Sequence, residues 1–114
     1  MELIKNLYST KTTNIKDIVD LHLYSNLSIN DLARLCQMSL STFKREFKKK
    51  LNVTPLNYIT NKRLEKAQRL LRISTQTISE IAHEIGYNDP QYFTRIFKKH
   101  TEYTPSAYRD RYKK

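Results

Sequence analysis

A chain of 114 residues, 39% of them apolar, suits one domain or two very small ones sharing a helix, and it excludes a deep core. Lys and Arg number 21 against 11 Asp and Glu, so the formal charge is +10 and an anionic partner is expected. With one glycine (Gly86) and one cysteine (Cys36), a turn-rich all-β fold, an internal disulfide and a cysteine-based metal cluster are excluded.

His22, His83 and His100 have no ligand-like spacing, and no cofactor is expected. No run approaches the roughly 20 apolar residues of a membrane span. Glu2 and Lys5 interrupt any leader-like stretch after Met1, so the expected location is cytoplasmic.

Residues 1–13, MELIKNLYSTKTT, carry Leu3, Ile4, Leu7 and Tyr8 and read as an N-terminal stub or linker remnant. A helix is predicted over about 14–25, and a second over 29–36, opened by Ser28 with Asp31. The third covers 40–50, where Phe43, Phe47 and Leu51 recur every four residues and make a buried side. Thr54–Pro55 starts the next, over 55–72, because proline suits the first helical position. Its Ile59, Leu64, Ala67, Leu70 and Leu71 roughly follow helical spacing, and at the standard rise it spans about 27 Å. Thr77 with Glu80 is a capping box for a helix over 78–85. Asp89–Pro90 opens 90–100, with Phe93, Ile96 and Phe97 buried, and Thr104–Pro105 opens 105–112.

The chain repeats itself. Residues 32–58 match residues 81–108, with one extra residue in the second copy between Tyr87 and Phe93. Leu32, Ala33 and Cys36 align with Ile81, Ala82 and Ile85. Phe43, Arg45, Phe47, Lys48 and Lys49 align with Phe93, Arg95, Phe97, Lys98 and Lys99, and Thr54, Pro55 and Tyr58 with Thr104, Pro105 and Tyr108. Each copy is a short helix, a tight turn and a second helix with an apolar pair four apart and basic residues between, the layout of a helix-turn-helix. Ala33 and Ala82 fall where the helices approach closely. Gly86 falls at the turn, where a left-handed conformation is easiest for glycine, and the first copy has Gln37 there, at a cost of up to about 1 kcal/mol.

The predicted fold is therefore all-α, with two helix-turn-helix subdomains, 14–53 and 74–114, joined by a long linker helix, 54–73, in about seven helices. The charge and the duplicated motif point to double-stranded DNA. The outward residues of the first reading helix are Ser41, Lys44, Arg45 and Lys48, and those of the second Gln91, Tyr92, Thr94, Arg95 and Lys98. Arg45 and Arg95 are in register, and arginine bonds guanine O6 and N7 through two parallel hydrogen bonds; Gln91 suits adenine. Lys44 suits a base or a phosphate. Ser39, Ser41, Thr42 and Thr94 have the chemistry of phosphate anchors, and Lys48 and Lys98 face the same way. Arg109, Arg111, Lys113 and Lys114 are either further phosphate contacts or a solvated tail.

ISEIAHEIGYNDPQYFTRIFKKHTEYTPSAYR resembles the signature of the AraC/XylS family of bacterial regulators. MSLSTFKREFKKKLNVTPLNYI resembles the family's first motif, and KRLEKAQRLL its linker helix, so the similarity covers residues 14–112. The resemblance implies a homeodomain-like fold whose two reading helices enter successive major grooves upstream of a promoter, in regulation by activation through RNA polymerase. It implies base reading by Ser41, Lys44 and Arg45 and by Pro90, Gln91 and Arg95, with phosphate contacts from Ser39, Thr42, Lys48, Tyr92, Thr94 and Lys98. Pro90 offers a base only an apolar surface, suited to a thymine methyl. The family also implies a separate sensor or dimerisation domain, for which 1–13 are too short; the apolar stub running into a polar linker reads as a severed connection, against the alternative of a small stand-alone regulator.

The alternative function is the DNA-binding part of an alkylation-repair regulator, with enzymatic activity elsewhere or at Cys36. Cys36 is matched by Ile85 in the other copy and has no base placed to activate it, so it reads as a core residue and the chain as a non-enzyme. A membrane-active amphipathic chain does not account for the repeat, and an RNA-binding module needs aromatics on a stacking platform rather than at core spacing.

Overall fold

The computed structural model describes residues 14–113. Among them the secondary structure is seven α-helices and no strand: α1 Ile15–Leu21, α2 Ile29–Leu35, α3 Leu40–Leu51, α4 Pro55–Ile73, α5 Ile78–Glu84, α6 Pro90–Thr101 and α7 Pro105–Tyr112. The stub at 1–13 and Lys114 lie outside the described residues. No helix is long and apolar enough to cross a membrane, among the described residues.

The helix starts follow from local chemistry. Both capping boxes are complete. The Asp31 N–H donates to Ser28 Oγ at 3.0 Å, and the Ser28 N–H returns a bond to the Asp31 carboxylate at 3.0 Å. Thr77 and Glu80 repeat the exchange at 3.0 and 2.8 Å. Each proline follows a cap whose side-chain oxygen accepts a backbone N–H: Thr54 from Asn57, Asp89 from Gln91 and Thr104 from Ala107. Helix α1 is shorter than the sequence suggests. The His22 N–H turns back to the Val19 carbonyl at 3.0 Å, three residues away, which ends the regular ladder.

The two turns inside the motifs have one geometry. Gln37 and Gly86 are both at positive φ, 60° and 104°. In the first, the Gln37 N–H donates to the Arg34 carbonyl and the Met38 N–H to the Ala33 carbonyl; in the second, Gly86 donates to His83 and Tyr87 to Ala82. These paired bonds are the Schellman arrangement that ends a helix with its last carbonyls satisfied. The ends of α3 and α6 also match, with left-handed Asn52 and Glu102 each donating to a lysine carbonyl four residues back, Lys48 and Lys98.

By contacts the described chain divides into two compact units: 14–23 with 27–59, and 24–26 with 60–113. Each has its own core. The first gathers Ile15, Val19, Leu32, Ala33, Phe43 and Phe47, with Ile59 from α4. The second gathers Ile81, Ala82, Ile85, Phe93 and Phe97 with Leu64, Ala67 and Leu71 of α4. The division falls within α4, which gives Ile59 to one core and its later turns to the other. The aromatic packing is duplicated too: Phe47–Tyr58 and Phe97–Tyr108 are both edge-on with centroids 5.4 Å apart.

Arg109 is not part of a solvated tail. It is half-buried, and its guanidinium donates to the carbonyls of Leu71, Ser74 and Gln76 at 3.1, 3.1 and 2.6 Å. These belong to the end of α4 and the segment after it, where a cation meets the negative end of the helix dipole and takes up carbonyls the helix leaves unbonded.

Candidate nucleic-acid interface

Helix α3 is anchored by Phe43 and Phe47, both fully buried. Its opposite face carries Ser41, Lys44, Arg45 and Lys48, all exposed. The start of the helix is fixed by Ser39, whose Oγ accepts the Thr42 N–H at 3.2 Å and donates to Thr42 Oγ1 at 3.0 Å. The Ser39 hydroxyl proton is therefore in use, while Thr42 keeps its own for another acceptor. The Arg45 Nε lies 3.7 Å from the Glu46 carboxylate, with 67% of the arginine side chain exposed. Such an exposed pair is weak, so the guanidinium remains available to a ligand.

The exposed face of α3 borders an open groove of about 870 Å³. Its lining includes the polar Ser41, Lys44, Arg45 and Lys48 and the apolar Leu40, Ile29 and Leu56. Leu40 is the first residue of α3 and is 37% exposed. Sequence reasoning passed it over. The repeat held the signal, since Leu40 is the counterpart of Pro90 and both take the first helical position after a cap.

Helix α6 is built the same way, on fully buried Phe93 and Phe97. Gln91, Tyr92, Arg95 and Lys98 are exposed, and Pro90 and Thr94 are half-buried. The Asp89 carboxylate caps the helix by accepting the Gln91 N–H at 3.0 Å. The Arg95 guanidinium sits over the Tyr92 ring at 5.6 Å, and Tyr92 meets Tyr87 edge-on at 5.6 Å. Tyr87 in turn carries the Arg63 guanidinium 4.9 Å from its ring centre. The order Arg63, Tyr87, Tyr92, Arg95 places two rings between two cations, and Arg95 is held by cation–π attraction rather than by a carboxylate. Arg63 was not among the residues singled out from sequence. Its guanidinium lies against Gly86, whose need for glycine comes from its φ of 104°.

Each set of outward residues is thus gathered on one helix face, the first on α3 and the second on α6. Cys36 lies elsewhere: it is fully buried in the first core, and burial pushes its thiol above the ordinary range, which disfavours the nucleophilic thiolate.

A family model described as a helix-turn-helix domain matches residues 32–111. The chain is similar to the Transposon Tn10 TetD protein of Escherichia coli, at 40% identity over 101 residues, covering 86% of this chain and 73% of that protein. It is 34% identical over 90 residues to the MmsAB operon regulatory protein of Pseudomonas aeruginosa, covering 79% of this chain and 29% of that protein. The chain spans about a third of the length of the curated regulators of this kind that it matches. Among solved structures, the DNA-binding domain of AdpA, a global transcriptional factor in complex with a target DNA, superposes with a TM-score of 0.80 at 29% identity, covering 86% of this chain and 91% of that one. The duplicated helix-turn-helix and these similarities agree: the chain belongs to the AraC-type helix-turn-helix DNA-binding domains of bacterial transcription regulators.

Proposed function

We propose that this chain is the sequence-reading part of a transcription regulator and binds double-stranded DNA with α3 and α6 in successive major grooves. The observation that carries the reading is the pair of exposed faces with Arg45 and Arg95 in register, each opposite a buried pair of phenylalanines. Base edges are read by Ser41, Lys44 and Arg45 in one motif and by Pro90, Gln91 and Arg95 in the other. Phosphates are held by Thr42, Lys48, Tyr92, Thr94 and Lys98, with Ser39 acting through Thr42. Ser39 has its hydroxyl proton committed to Thr42, so its part is to set the Thr42 hydroxyl. Successive grooves suit a chain that carries two reading helices, one on each side of the linker helix α4.

The domain organisation that goes with this is a stub at 1–13, subdomains at 14–53 and 74–114, and a linker at 54–73. Relatives about three times as long support a further sensor or dimerisation domain in the whole protein. Activation through RNA polymerase and a cytoplasmic, nucleoid-associated location complete the proposal, with a binding role and no enzymatic step at Cys36.

Binding selection from a pool of random duplexes tests the reading. The expected product is an asymmetric site with two different elements about one helical turn apart. Enrichment of one element alone overturns simultaneous docking, and no enrichment overturns DNA reading itself.

A further inference from the structure

The groove beside α3 is lined by both basic and apolar side chains. Lys44 and Lys48 suit a nucleic acid, but Leu40, Ile29 and Leu56 do not suit a phosphate or a base edge that needs a hydrogen bond. Leu40 stands one helical turn before Lys44 and lines the groove together with Ser41, Arg45 and Lys48. It is not part of the first core, and as the first residue of α3 it is 37% exposed. In the major groove the apolar group is the 5-methyl of thymine, and an exposed leucine at the start of a reading helix is complementary to it.

We propose that Leu40 is a specificity residue that reads a thymine methyl group, an assignment that rests on α3 entering the major groove. The branched side chain covers the methyl, and Ile29 and Leu56 continue the apolar surface across the groove. Lys44 and Arg45, on the next turn, hydrogen-bond neighbouring base edges. Cytosine at that position presents no methyl and exposes its amino group to the leucine, which cannot accept a hydrogen bond. The first element therefore prefers thymine at the position that faces Leu40.

The test uses a duplex enriched from a random pool, remade with each thymine replaced singly by deoxyuridine. This removes the methyl and keeps every hydrogen-bonding group. The element read by α3 is the one whose base preference Arg45→Ala relaxes. The unaltered chain is expected to lose about fourfold in affinity at one thymine of that element, the effect of one methyl left out of an apolar contact. Leu40→Ala and Leu40→Gln are expected to bind the thymine and deoxyuridine duplexes equally at that position, with responses at other thymines unchanged. Two results overturn the assignment: insensitivity of the unaltered chain to deoxyuridine throughout that element, or full sensitivity retained in both variants. The deoxyuridine scan on the unaltered chain needs no substitution, so it decides even where a variant folds poorly. Failure to enrich any duplex is a separate result that overturns α3 as a reading helix, and Leu40 with it.

Discussion

Tyr58 and Tyr108 occupy the same place in the two copies, yet their hydroxyls play opposite parts. The Tyr58 hydroxyl donates to the Asp20 carboxylate at 2.6 Å, whereas the Tyr108 hydroxyl accepts from the Arg72 guanidinium at 3.1 Å. Asp20 is shared with Lys16, 2.8 Å away. Burial first, then the Asp20 hydrogen bond, pushes the Tyr58 hydroxyl above its ordinary value.

Removing either hydroxyl is expected to weaken its own unit. Tyr58→Phe and Tyr108→Phe should each cost about 1–2 kcal/mol in denaturant unfolding, as a hydrogen bond to a charged group is lost. The pH response distinguishes Tyr58. A raised folded value means the Tyr58 contribution is fully present below the ordinary tyrosine pKa, about 10, and is lost as pH rises through the folded value. Tyr58→Phe should therefore flatten the loss of stability above about pH 10, read from melting temperature against pH. An unchanged alkaline slope would contradict the Asp20 contact.

The inner turns respond in opposite directions to substitution. Gln37 holds a left-handed conformation at φ 60°, and glycine there should stabilise the chain by up to about 1 kcal/mol. Gly86, at φ 104° with Arg63 against it, should lose more than that on Gly86→Ala. Equilibrium unfolding of the two variants checks the pair, and a gain from Gly86→Ala would contradict the turn geometry.

Acid should act on the capping boxes. The hydrogen bond from the Ser28 N–H holds the Asp31 carboxyl below its ordinary range. The folded state binds fewer protons there, so the contribution is present above the unfolded value, near pH 4, and is lost as pH falls through the folded one. Asp31→Asn replaces the carboxylate with a group that does not titrate, and its melting temperature should fall less steeply than that of the unaltered chain between about pH 5 and 2. Identical acid profiles would contradict a contribution from the box.

The Cys36 thiol should be inert in the folded chain. It is enclosed in the first core and its thiolate is disfavoured by burial. Alkylation by a soluble thiol reagent is expected at the rate of unfolding rather than at the rate of a free thiol, and denaturant should restore the fast reaction. Rapid labelling in native buffer would contradict the core placement.

Much of this was legible in the sequence because the signals are local. Thr77 with Glu80, and the prolines at 55, 90 and 105 after their caps, mark helix starts through bonds that span three residues or fewer. The outward faces of α3 and α6 follow from phenylalanines four apart. What was not legible depends on partners far along the chain. The Ser25 carbonyl is held by Arg63, 38 residues further along. Arg109 was left open because its three carbonyls lie 33 to 38 residues back and its counterpart in the repeat is the apolar Ile59. Leu40 was missed for a different reason: an exposed leucine breaks no helical period, and its setting is visible only once the α3 face, Ile29 and Leu56 come together.

The central claim is that two helices read two different elements. Competition binding tests it most directly, with Arg45→Ala and Arg95→Ala measured against every single-base variant of the selected duplex. Each substitution is expected to weaken binding by about 1–3 kcal/mol and to relax preference at one base, Arg45→Ala in one element and Arg95→Ala in the other. Loss that is uniform across all sequences, or relaxation by both substitutions within the same element, would contradict it.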